Sequence, residues 1–163
     1  MKCFNTIYVA LLLAALAVTG CSKNDDKKPA GEQAPAAGES GASAEHSHGS
    51  GPNGGVVFDL GSHHAEFTVD HGKKQVTVLV LGDDEKTPTP VAATELVVAI
   101  KDSKTKDGTA VPAMTITLMP EGATDGKASK FVGTDEGIGN VADFEGTVSG
   151  EIDGKPAQGE FKE

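Results

Sequence analysis

Apolar and polar residues alternate with a period of two over most of the chain from Val56 onward. Apolar side chains fall at every second position in residues 56–60, 65–69 and 114–118. In residues 92–101, Thr94, Leu96, Val98 and Ile100 share one side, and residues 144–152 are a further candidate strand. Residues 75–81 are apolar at nearly every position, as in a central strand covered on both faces. Because successive side chains of a strand point to opposite faces, this alternation predicts β-strands, and no helical period accompanies it.

Turn-forming residues separate the predicted strands. Asp153-Gly154 is a hairpin signal, since a type I′ turn needs positive φ at both central positions, and residues 70–73 form a second short turn. Residues 82–90 and 101–108 are longer polar loops. About eight short strands with this spacing predict an all-β fold, an antiparallel β-sandwich of immunoglobulin-like size. A closed barrel is the alternative.

The N-terminus has the pattern of a secretory signal peptide. Lys2 precedes an apolar run over residues 7–18, and small residues lead up to Cys21. The sequence Val18-Thr19-Gly20-Cys21 resembles the lipobox of bacterial lipoproteins. That resemblance implies cleavage before Cys21, a diacylglycerol thioether on Cys21 and acylation, for example by palmitate, of the new amino terminus. Alternatives are an ordinary signal peptide with a chance cysteine, or a retained membrane helix, although the run is shorter than the ~20 residues that span a bilayer.

The segment after Cys21 is predicted to be a flexible tether. Residues 21–52 contain no large apolar residue, so they cannot bury enough surface to offset the entropy of ordering. The predicted organisation is a signal peptide over 1–20, a lipidated cysteine and tether over 21–52, and a β-sandwich domain over 53–163. We expect the protein to be anchored in the cell envelope. Ser22, in place of the aspartate associated with inner-membrane retention, favours the outer membrane.

Composition excludes several classes of function. The net charge is −10, and all 14 basic residues are lysines. An acidic chain without arginine argues against nucleic acid and against planar recognition of phosphate. The chain has no nucleophile elbow, no zinc-protease helix motif and no phosphate-binding glycine loop, and its two cysteines are Cys3 and Cys21. We therefore predict that it is not an enzyme and has no disulfide.

The five histidines all fall between His46 and His71. Imidazole and carboxylate groups are ligands for zinc, copper and nickel. Two histidines of the tether can turn toward one ion, and a strand that begins near His64 would project His64 and Glu66 from one face. The candidate metal ligands are therefore His46, His48, His64 and Glu66, with His63 in reserve. In the alternative interpretation these side chains are simply solvated, and His71 is a turn residue.

Residues 51–61 and 63–67 also resemble part of a known pattern. It occurs in small envelope lipoproteins and in a β-domain attached to periplasmic adaptor subunits of heavy-metal efflux pumps. In that pattern a His-Gly-Gly turn precedes the first strand and a His-x-Glu lies on the second. His64 and Glu66 match it, whereas Asn53 stands where the pattern has histidine; residues 130–135 and 151–155 also fit. The resemblance implies the fold and the compartment rather than pumping, because the coiled-coil hairpin and lipoyl-like parts of an adaptor are missing.

Together these patterns predict a lipid-anchored, non-catalytic envelope lipoprotein that binds a transition-metal ion. The membrane is its expected partner, through the anchor, and nucleic acid is not. The alternative is a structural or protein-interaction module of the envelope that contacts another envelope protein. The histidines would then have no metal role.

Overall fold

Ten strands and one short 3₁₀ helix make up the secondary structure in a computed structural model that describes residues 48–163. The predicted signal peptide, Cys21 and His46 lie outside the described residues. No helix within residues 48–163 is both long and apolar enough to cross a membrane. The elements are β1 (Val56–Leu60), β2 (His63–Asp70), β3 (Gln75–Leu81), β4 (Leu96–Ile100), β5 (Ser103–Lys104), β6 (Ala110–Val111), β7 (Met114–Glu121), β8 (Lys130–Thr134), the 3₁₀ helix (Glu136–Gly139), β9 (Glu145–Ile152) and β10 (Lys155–Lys162).

Eight of the strands form one antiparallel sheet in the order β1-β2-β3-β8-β7-β4-β9-β10, and β5 pairs with β6 separately. Strand β7 joins the two halves of the sheet, because residues 114–118 pair with β4 and residues 119–121 pair with β8. The prediction of an all-β antiparallel fold is confirmed.

The first and last strands of the sheet approach each other. The amide of Gly61 donates a hydrogen bond to the carbonyl oxygen of Gln158 at 3.3 Å. A Cβ added to Gly159 would lie 1.8 Å from the carbonyl oxygen of Asp59, so the two backbones meet where only glycine fits. The sheet is therefore nearly closed, as in the barrel alternative, and the division into two stacked sheets is not confirmed.

The core lies inside this curved sheet. Buried side chains alternate along β3, β4 and β9, whereas β1 and β2 also bury adjacent residues. Phe67 of β2 and Phe131 of β8 are among the largest fully buried side chains. Phe161 of β10 stacks on Phe67 with ring centroids 3.9 Å apart. This contact between the second and last strands in chain order packs the closing edge against the core, where each aromatic ring removes a large apolar area from water.

The tight turns set the register of the hairpins. Asp153 and Gly154 have φ of 50° and 76°, as expected for the predicted hairpin turn between β9 and β10. At the other end of the chain, the β1–β2 hairpin pairs Asp59 with His64 and Leu60 with His63. The β2–β3 pairing then places His64 opposite Leu81, the last residue of β3.

Candidate metal centre

Strand register brings several polar side chains to one end of the sheet. Asp59 and His64 are direct cross-strand partners, so their side chains lie on the same face. His64 also pairs with Leu81, after which the chain enters the loop that carries Glu85. His48 reaches the same place from the segment that precedes β1. Four separate parts of the sequence therefore meet here.

Asp59 lies between two imidazole rings. Its Oδ1 is 3.1 Å from His64 Nδ1, and its Oδ2 is 3.6 Å from His48 Nε2. One ligand atom from each of the three side chains lies within 4.8 Å of the others. Two ligands at ~2.1 Å from a tetrahedral ion are about 3.4 Å apart. The separations of 3.1 and 3.6 Å on the two sides of Asp59 are close to that value.

The two histidines are mostly shielded from water. The side chains of His48 and His64 are 12% and 24% exposed, whereas Asp59 is 35% exposed. The Nδ1 atom of His64 is buried and, within residues 48–163, has no hydrogen-bond partner, because its short contact with Asp59 lacks hydrogen-bond geometry. A cation between the two groups would contact both the imidazole nitrogen and the carboxylate.

The loop after β3 is held by an aspartate. Asp84 Oδ1 accepts hydrogen bonds from the amides of Lys86 at 3.0 Å and Thr87 at 2.8 Å, and the Thr87 hydroxyl donates to Oδ2. The Thr87 hydroxyl and these amides lower the pKa of Asp84 from 3.8 to about 2. The next residue, Glu85, has φ of 57° and places its Oε1 3.1 Å from His48 Nδ1.

Glu66, a predicted ligand, has a different environment. It is fully buried, and it accepts three hydrogen bonds of 2.8 Å, from the Asn53 amide, the Asn53 side-chain Nδ2 and the Gly55 amide. A Cβ added to Gly51 would lie 2.4 Å from its carboxyl carbon. The carboxylate therefore holds the turn over residues 51–55 against β2, and the structure does not bring it into the group formed by His48, Asp59 and His64.

His63 and His71 are also separate from this group, and His46 lies outside the described residues. His63 Nε2 lies 3.9 Å from Asp153 Oδ2 in the β9–β10 turn. His71 Nδ1 is 2.8 Å from the carbonyl oxygen of Ile138. Among Glu66 and the four histidines that the structure describes, it thus brings together His48 and His64.

Asp59 and Glu85 are not among the ligands that the sequence predicts. The sequence could have indicated Asp59, because a two-residue connection between Leu60 and His63 places Asp59 directly opposite His64. Glu85 had no such signal, because it is 37 residues from His48 and its approach depends on the course of a long loop.

No protein-family model, curated protein or solved structure matches this chain. The relationship to envelope lipoproteins and efflux adaptors that the sequence suggests therefore stays a prediction. Lipidation of Cys21 also stays a prediction.

Proposed function

We propose that this protein is a lipid-anchored, non-catalytic envelope protein that binds a divalent transition-metal ion through His48, Asp59 and His64. The observation that carries the proposal is the convergence of two imidazoles and a carboxylate, with ligand atoms within 4.8 Å of one another. The buried His64 Nδ1, which lacks a hydrogen-bond partner within residues 48–163, supports it.

The chemistry of the ligand set narrows the choice of ion. Two nitrogen ligands and one oxygen ligand suit zinc(II), copper(II) and nickel(II). The group contains no thiolate or thioether, the ligands that select copper(I). With three protein ligands, a tetrahedral ion keeps one position for water or for an exchanging ligand. Such a site suits reversible binding better than a permanent structural role.

The proposed anchor gives the site a location. His48 is the proposed ligand closest in sequence to Cys21, at the end of the predicted tether. A tether of ~30 residues reaches on the order of 30 Å. A lipid on Cys21 would keep the bound ion near the membrane, at a root-mean-square distance of that order. Cys21→Ser should release the protein from the membrane fraction, and unchanged membrane association would contradict the anchor.

Metal titration of the purified protein tests the binding site. We expect zinc(II), copper(II) or nickel(II) to bind with Kd below about 100 µM, a binding free energy beyond roughly 5.5 kcal/mol. His64→Ala should weaken binding at least tenfold. His63→Ala is the matched control, since it removes the neighbouring imidazole, which lies near Asp153 instead. Weaker binding that His64→Ala leaves unchanged would favour the protein-interaction alternative.

A further inference from the structure

His48 lies between two carboxylates that contact different atoms of its ring. Its Nδ1 is 3.1 Å from Glu85 Oε1, within hydrogen-bond distance, and its Nε2 is 3.6 Å from Asp59 Oδ2, beyond it. An ionised carboxylate can only accept a hydrogen bond, so the contact with Glu85 requires a proton on Nδ1. In the neutral ring, the lone pair is then on Nε2, the nitrogen that faces Asp59.

We propose that Glu85 is a positioning residue for the metal site, which it serves by accepting the Nδ1 proton of His48 and presenting Nε2 to the ion. The inference rests on the proposed metal binding. Histidine ligands in metal sites commonly donate their other ring N–H to a carboxylate, which fixes both the tautomer and the ring orientation. Because His64 faces Asp59 with Nδ1, the two histidines bind the ion through different ring nitrogens.

The loop around Glu85 is built to hold this carboxylate in place. The amide of Glu85 donates a hydrogen bond to the carbonyl oxygen of Gly82 at 3.0 Å. The amide of Gly82 donates to the carbonyl oxygen of Thr87, also at 3.0 Å. The hydrogen bonds to Asp84 fix the same loop from the other side. Glycine would adopt the φ of 57° at position 85 more readily, but it would supply no carboxylate.

Three consecutive acidic residues in this loop differ in what they contact. Asp83 is exposed, and Asp84 is engaged by Lys86 and Thr87 within the loop. Glu85 is half-buried, and its Oε1 contacts His48. General attraction of cations to an acidic loop would be shared by all three residues. A positioning role belongs to Glu85 alone, and Asp83 therefore provides a matched control.

Zinc(II) titration of the purified full chain measures the effect on affinity. We expect Glu85→Ala to raise Kd for zinc(II) 10- to 100-fold, the usual effect of removing a carboxylate that supports a histidine ligand. Glu85→Gln keeps an oxygen that accepts the Nδ1 proton and should recover part of the loss. Asp83→Ala removes the same charge from the same loop and should change Kd less than about threefold. Equal effects of Glu85→Ala and Asp83→Ala would overturn the inference.

Cobalt(II) absorption and ¹⁵N NMR of the histidine rings distinguish positioning from direct ligation. The ligand-field spectrum of bound cobalt(II) should keep the same coordination number in Glu85→Ala, and a lost ligand would overturn the inference. In the zinc(II) complex, His48 should bind through Nε2, and coordination through Nδ1 would also overturn it.

The tautomer of His48 in the metal-free protein shows whether the positioning role fails or the proposed function fails. The His48 ring of the metal-free protein should be protonated at Nδ1 in the neutral form, and Glu85→Ala should shift that tautomer equilibrium. If the tautomer behaves in this way but the wild type binds no metal, the proposed function fails and the contact between Glu85 and His48 stands. If the wild type binds metal but the tautomer is insensitive to Glu85, the positioning role fails alone.

Discussion

Asp59 and Glu66 are carboxylates on neighbouring strands of one hairpin, yet their surroundings differ. Glu66 is fully buried and accepts three hydrogen bonds of 2.8 Å. Asp59 is 35% exposed and lies between two imidazoles, one of which has a buried Nδ1 without a hydrogen-bond partner among residues 48–163. Buried polar groups that serve structure are normally satisfied. The contrast identifies Glu66 as part of the scaffold and Asp59 as part of the candidate site.

The two regions are nevertheless connected through the chain before β1. Glu66 fixes the turn over residues 51–55, and Ser50 forms a bridge with Val56. His48 is two residues before Ser50. Glu66 therefore also fixes the position of the segment that carries His48, one of the proposed ligands. A second layer that locks the geometry of ligands is a common requirement of precise sites.

Glu66→Ala should have the largest effect on stability. It leaves the amides of Asn53 and Gly55 without their acceptor next to a new cavity, so we expect the free energy of unfolding to fall by about 3 kcal/mol or more. Urea denaturation monitored by circular dichroism measures the change. Asp59→Asn is the control and should change stability by less than about 1 kcal/mol. Similar losses in both variants would remove the distinction between scaffold and site.

Stabilisation by added metal should depend on the residues of the candidate site. At a zinc(II) concentration of 100 times Kd, binding should stabilise the wild type by about 2.7 kcal/mol. The same concentration should not stabilise His64→Ala, although the folded state of that variant should persist without metal. Thermal unfolding with and without zinc(II) measures both, and His63→Ala should keep the stabilisation. A zinc(II) response that survives in His64→Ala would place the ion elsewhere.

Asn53→Ala tests the scaffold with a smaller change. It removes the side-chain donor at 2.8 Å from Glu66 Oε2 but leaves the backbone amides in place. A hydrogen bond to a charged group contributes about 1.5–3 kcal/mol, and water can replace part of it, so we expect a loss near 1.5 kcal/mol. Denaturant titration beside Glu66→Ala gives the comparison. A loss as large as that of Glu66→Ala would mean that the backbone donors contribute little.

The smallest expected effect is a local response to acid in the loop that holds Glu85. The folded-state pKa of Asp84 is about 2, below the ordinary 3.8, so its hydrogen bonds stabilise the loop above pH 4 and are lost as the pH falls through 2. The amide resonances of Lys86 and Thr87 should report this titration. Thr87→Val removes the hydroxyl donor and should raise the midpoint toward 3.8. A wild-type midpoint near 4 would contradict the proposed hydrogen-bond arrangement.

Much of the fold could be predicted because strand alternation is a local property. Residues 75–81 and the Asp153-Gly154 turn carry their structure in their own sequence. Whether the sheet stacks or closes is not local, since both forms have the same period of two. Closure depends on the close approach of the Gly159 and Asp59 backbones, and these two residues are far apart in the chain.

The candidate site was partly predictable for the same reason. The clustering of histidines predicted His46, His48, His63 and His64 as ligands, and of the three that the structure describes, it brings together His48 and His64. The hairpin register would have added Asp59. The position of Glu66 on the same face as His64 suggested a ligand, but its partners Asn53 and Gly55 come from a turn that folds back over β2. Tertiary contacts of that kind leave no periodic signal in the sequence.

The close approach of Gly159 to the backbone of Asp59 also bears on self-association. Exposed edge strands offer unpaired amides and carbonyls to other chains and so favour aggregation. Here β1 and β10 cover each other, with Gly61 bonded to Gln158. A larger residue at position 159 would separate these strands and expose two edges. It would also displace Asp59, so protection against edge-to-edge polymerisation and the geometry of the two histidines depend on the same residue.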